Sequence, residues 1–103
     1  MIDVTVRGFT LSNAGDVWEV DWAQIREVVA YKGDRFIVDD VCLSILVGER
    51  WLEVHEDMPG WRELVAGLDA HIMGMTPSSE WRPRVVHPPF ARNEEVVYRR
   101  AEL

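Results

Sequence analysis

The sequence predicts one α+β domain over residues 1–103: a single antiparallel, curled sheet of about five or six strands in a meander, packed on one helix in the C-terminal half. Three observations lead there. Apolar residues alternate with polar ones through the first half, and turn signals interrupt the alternation. One stretch, near 61–72, carries a clear 3.6-residue apolar period. A chain of 103 residues with 48% hydrophobic and 28% charged residues has the length and composition of a single folded domain.

In chain order, Ile2 to Thr10 alternates: Ile2, Val4 and Val6 point one way, Asp3, Thr5 and Arg7 the other. It reads as a strand. Asn13-Ala14-Gly15-Asp16 is a turn, and Val17 to Val20 is the hairpin partner. Asp21 and Gln24 have capping-box spacing, so 21–24 reads as a single helical turn. A strand from about 25 to 32 follows and runs into Gly33-Asp34, a hairpin signal. Phe36 to Val47 reads as a long strand, with a bulge or break expected at Asp39-Asp40. Gly48-Glu49 is a two-residue turn, and Arg50 to Glu56 returns.

Asp57 is the expected cap of the main helix, placed at 58–73. Pro59 is tolerated in its first turn. Trp61, Leu64, Val65, Leu68 and Ile72 form its apolar stripe, and Gly74 and Pro77 end it. Residues 77–103 read as an irregular tail. In it Trp81 docks into the core, His87-Pro88-Pro89-Phe90 is non-helical, and Val96-Val97-Tyr98 makes a last short strand at a sheet edge.

Charge narrows the class of partner. The formal net charge is −7. That disfavours a general nucleic-acid or anionic-membrane binder. The whole acidic excess lies in residues 1–57, which hold twelve acids and five bases; residues 58–103 hold six of each. Asp16, Glu19, Asp21, Asp34, Asp39 and Asp40 gather near predicted hairpin ends. They form either a solvated rim that blunts sheet edges or a face that steers a basic partner. Five tryptophans are expected mostly in the core, with Trp51 a candidate partner anchor. No run is long and apolar enough for a membrane helix, no export signal is visible, and the single cysteine fits a reducing compartment, so a cytoplasmic location is expected.

The common catalytic and phosphate-binding motifs are absent. One constellation remains. Counting back from Gly48-Glu49 pairs Val47 with Arg50, Leu46 with Trp51, Ile45 with Leu52, Ser44 with Glu53, Leu43 with Val54 and Cys42 with His55. Directly opposed residues share a face. One face is therefore apolar, and the other carries Cys42, Ser44, Glu53 and His55. A thiol beside an imidazole, oriented by Glu53, is the arrangement thiol catalysis needs. A strand pair also produces such neighbours by chance, and a lone cysteine is commonly a small buried hydrophobe. The three histidines are dispersed and Asp57 has a capping role, so neither a metal site nor a cofactor is expected.

Several strings resemble a group of small bacterial proteins of unknown function: Trp22-x-x-Ile25, Tyr31-Lys32-x-Asp34, Asp40-x-Cys42-Leu43, Glu56-Asp57-x-x-Gly60-Trp61-x-x-Leu64, Trp81, and Pro89-Phe90-Ala91 with Asn93. The likeness spans most of residues 18–100, and its Glu-Asp-x-x-Gly-Trp-x-x-Leu piece is the most specific. No catalytic residue comes with it. A meander ending in one helix also looks like pleckstrin-homology-type folds, which bind rather than catalyse, and small acidic proteins of this kind resemble toxin-immunity proteins. The resulting expectation is a non-catalytic protein-binding domain of immunity or adaptor type, with a basic protein partner, as a monomer or an edge-paired homodimer. The alternative is a small-molecule binder or thiol enzyme using Cys42, His55 and Glu53.

Overall fold

The structure is a computed structural model that describes residues 1–35, 38–86 and 93–101. The elements are β1 (Ile2–Val4), β2 (Gly8–Asn13), β3 (Asp16–Asp21), a 3₁₀ turn (Trp22–Gln24), β4 (Ile25–Arg35), β5 (Val38–Val47), β6 (Arg50–His55), α1 (Trp61–His71), α2 (Ser78–Val86) and β7 (Glu94–Arg99). The class is α+β. Among the described residues the strands form two antiparallel sheets instead of one, ordered β1-β2-β3 and β6-β5-β4-β7, and there are two helices rather than one.

The first departure lies at Thr5. Alternation runs from Ile2 through Arg7 and changes phase at Gly8-Phe9, and the chain folds back at 5–7. The Thr5 hydroxyl accepts the Arg7 N–H at 3.2 Å, and the Thr5 N–H donates to Gly8 O at 2.8 Å. A hydroxyl that bonds its own neighbouring backbone competes with the strand ladder. Val6 is thereby 80% exposed at the turn, and Ile2 pairs with Leu11.

The second departure creates the corner between the sheets. The Gln24 side chain accepts the Asp21 N–H at 2.8 Å, as the capping-box spacing requires. This turn drives Trp22 inward. Its indole N–H donates to Val6 O at 3.1 Å, and its ring packs on Phe9 at 5.9 Å and stacks on His71 of α1 at 5.3 Å. A bulge at Arg26 follows, where the pairing steps from Ile25↔Val47 to Glu27↔Leu46. It lets Ile25 and Val28 both reach the core although they are three residues apart. At Asp39-Asp40 no bulge occurs: Asp34↔Asp39 and Gly33↔Asp40 pair in regular register. β4 runs on through Gly33-Asp34 to Arg35 and β5 begins at Val38, while Phe36, the expected strand start, is outside the described residues.

Asp57 does not cap α1. The residues before the helix are taken up by backbone turns, Met58 N–H to His55 O and Trp61 N–H to Met58 O, and Gly60 is the N-cap. Gly60 holds φ 95°, and a Cβ there would lie 2.0 Å from Ile2 O, so neither conformation nor space admits a side chain. Trp61, Leu64, Leu68 and Ile72 are buried and Val65 half-buried, as the stripe predicts.

Residues 77–103 are not an irregular tail, since they contain α2 and β7. The Asp69 carboxylate of α1 accepts both the N–H and the hydroxyl of Ser78, which anchors the start of α2. Trp81 is fully buried and Val85 lies beneath it. At the other end of α2, Lys32 Nζ donates to Val86 O and Asn93 Nδ2 to Val85 O, so two terminal carbonyls are satisfied and a cation sits at the negative end of the helix. β7 pairs with β4 at the sheet edge, as expected. His87 to Phe90 lie outside the described residues. No helix among the described residues is long and apolar enough to cross a membrane.

Gly67 of α1 seats Trp22. A Cβ at Gly67 would lie 2.8 Å from the indole ring and 3.3 Å from Val4. Gly67→Ala is expected to destabilise by about 1–3 kcal/mol in urea unfolding, as an overpacked core site does. Ala66→Ser on the exposed side of the same turn should change stability by under about 0.5 kcal/mol. Equal stability of the two variants would contradict this packing.

Candidate functional site

The pairing of β5 and β6 matches the count from the Gly48-Glu49 turn at every position, from Val47↔Arg50 to Cys42↔His55. A two-residue hairpin leaves no freedom of register. Leu43, Ile45, Leu52 and Val54 face the core. Among the described residues, the opposite face of the four-stranded sheet is open around Trp51, Glu53 and Val96, while Cys42 toward its end is buried.

That face holds a shallow depression of about 430 Å³. β6 contributes Trp51 and Glu53, and β5 contributes Ser44. β4 contributes Glu27, Val29 and Tyr31. β7 contributes Glu94, Val96 and Arg99, brought to the same face by a bulge at Val97 that turns Val97 itself into the core. Trp51 is 47% exposed and Val96 45%, so an indole and a valine project from a floor that includes the buried Val29. Arg99 pairs with Glu27 at 3.1 Å. The Tyr31 hydroxyl donates to Glu53 Oε1 at 2.6 Å, and burial together with this bond raises the Tyr31 pKa.

Cys42 and His55 meet as expected, with Sγ 3.2 Å from Nδ1. Glu53 does not complete the set, because its carboxylate is engaged by Tyr31, which reaches diagonally from β4. The thiol is also poorly suited to be a nucleophile. Cys42 is 1% exposed, and burial pushes its thiol up, with Asp40 and Glu53 adding to the effect. A nucleophilic cysteine needs the opposite environment, electropositive and accessible. The thiol donates to Asp40 O and lies against Nδ1, a structural contact.

The acids separate into two groups. Asp16, Glu19 and Asp21 lie exposed along β3, an edge strand. Asp34, Asp39 and Asp40 lie at the far end of the β4–β5 pair. The two groups thus belong to strands of different sheets. Trp51 is the candidate that sits on the open face. Arg50 stacks over Trp18 at 4.2 Å and ties β3 to the strand that carries it. Trp22, Trp61 and Trp81 are core.

Sequence reasoning missed Glu27, Val29 and Tyr31, although alternation along β4 places all three on one side. It also missed Glu94, Val96 and Arg99, which require knowing that β7 joins β4. A larger depression of about 540 Å³ lies between α1 and α2. Its polar groups serve each other there: Arg82 with Glu56, and Asp69 with Ser78. No group of three metal-ligating side chains comes together among the described residues.

The raised thiol has a pH signature. The fold favours the protonated form, so this contribution is complete below the ordinary thiol value of 9.0 and is lost as pH rises toward the higher folded value. Tyr31 acts in the same sense, starting from 10.0. Stability measured by urea unfolding should fall between pH 9 and 10, and Cys42→Ala should flatten that fall. Iodoacetamide should alkylate Cys42 far more slowly in the native protein than in urea. A native rate equal to the unfolded one would reinstate an activated thiol.

No protein-family model matches the chain, and neither a curated protein nor a solved structure matches it.

Proposed function

We propose that this chain is a non-catalytic protein-binding domain, of immunity or adaptor type, that receives a basic partner on the open face of its four-stranded sheet. The observation that carries this reading is Trp51: a large apolar side chain, 47% exposed, at the edge of a depression with an apolar floor. Exposed tryptophans in such settings are frequent energetic anchors of interfaces. The charge around it supports the choice of partner. Glu27, Glu53 and Glu94 are set against Arg99 alone, on a chain of net charge −7. A second copy of the same face would bring like charges together, which disfavours self-association through it. The depression is shallow and open, which suits a protein surface better than an enclosed small molecule. Buried Cys42 argues against the thiol-enzyme alternative.

The test is capture from lysate at low and high salt, with the wild-type chain and two variants, Trp51→Ala and Glu53→Lys. A basic protein is expected, released by salt because the exposed charges are screened. Trp51→Ala should weaken its binding by about tenfold or more, the effect of losing an interface anchor. Glu53→Lys should weaken it further, while both variants keep a cooperative urea transition. Capture that neither variant changes would contradict the assignment of the face.

A further inference from the structure

The open face offers more than general negative charge. Trp51 and Glu53 are two residues apart on β6 and share its outer side. The Glu53 carboxylate is held in place by Tyr31, whose hydroxyl donates to Oε1, and Glu53 lines the depression. Ser44, paired with Glu53 across β5 and β6, lines the same depression. The face already accommodates one guanidinium: Arg99 Nε lies 3.1 Å from Glu27 Oε1, beside the apolar Val96. Elsewhere in the same molecule an arginine lies over an indole, Arg50 over Trp18 at 4.2 Å. The indole of Trp51 carries no such cation among the described residues, although Glu53 is next to it.

Resting on the protein-binding reading above, we propose that the group recognised here is an arginine side chain of the partner, stacked on Trp51 and donating to Glu53. The chemistry selects arginine over lysine. A guanidinium is planar, is weakly hydrated and stacks on an aromatic face while its edge donates to a carboxylate. An ammonium is a compact, strongly hydrated point charge that gains less from the indole. The apolar surface of Val29 in the floor and Val96 beside it suits the methylene stem, which buries readily while the charged head is held at the rim. Preorganisation of Glu53 by Tyr31 lowers the ordering cost of each bond formed.

The test is a nitrogen-15 NMR titration of the full chain with N-acetyl-arginine amide and, separately, N-acetyl-lysine amide at millimolar concentrations. The arginine compound is expected to shift the Trp51 indole N–H and the Glu53 and Val96 amides. The lysine compound should do so about fivefold more weakly, the factor expected from loss of the stacking contribution. Glu53→Gln should abolish the arginine shifts, and Tyr31→Phe should weaken them while leaving the sheet's amide spectrum intact. Equal responses to both compounds on this face would overturn the arginine assignment and leave the basic-partner reading standing. Shifts confined to another surface, or none with either compound, would remove both.

Discussion

The contact between Trp22 and α1 is the one on which both sheets and the open face depend. Trp22 leaves the first sheet, lies under Val6, touches Phe9 and stacks on His71, and Gly67 makes room for it. Removing a buried tryptophan of this kind costs about 3–5 kcal/mol, a large share of the roughly 5–15 kcal/mol that holds a domain together. It also marks where the chain changes direction. The 3₁₀ turn ends β3, and β4 starts the second sheet with Ile25 already in the core.

From that corner, β4 organises everything that follows. It pairs with β5 on one side and with β7 on the other, so it is central in its sheet. Its inward residues, Val28 and Ala30, belong to the same core as Trp81 and Leu64. Its outward residues, Glu27, Val29 and Tyr31, set the floor and one wall of the depression. The arginines of the last quarter of the chain then fasten the structure. Arg82 pairs with Glu56 and Arg99 with Glu27, while Arg100 donates to the carbonyls of Ala23 and Ile25. Part of the acidic first half is thus covered by basic residues of the second, and the open face keeps its excess of carboxylates.

How much of this was legible depended on how local its cause was. The β5–β6 pairing could be read residue by residue, because a two-residue turn determines it. The stripe of α1 could be read because Trp61, Leu64, Leu68 and Ile72 repeat with the helix period. The reading failed where one side chain or one extra residue overrode a pattern. Thr5 bent an alternating strand into a hairpin, and the bulge at Arg26 gave β4 a spacing that resembles a helix. α2 was hidden because Pro77 and Pro83 argue against a helix, while only Trp81 and Val85 are buried on it. For the site, Trp51 and Glu53 were visible from the hairpin. Tyr31's hold on Glu53 and the arrival of β7 were not, since both join residues far apart in sequence. The acids of 16–21 and of 34–40 lie on strands of two different sheets, a division that a single meander did not foretell.

Hydroxyl-radical footprinting of the five tryptophans, alone and with a captured basic partner, addresses the open face most directly. In the free protein Trp51 should be oxidised fastest, while Trp22, Trp61 and Trp81 react slowly. With the partner present, Trp51 should become protected and Trp18 should stay unchanged. A Trp51 that remains reactive in the complex, or protection that falls on β3 instead, would contradict the account.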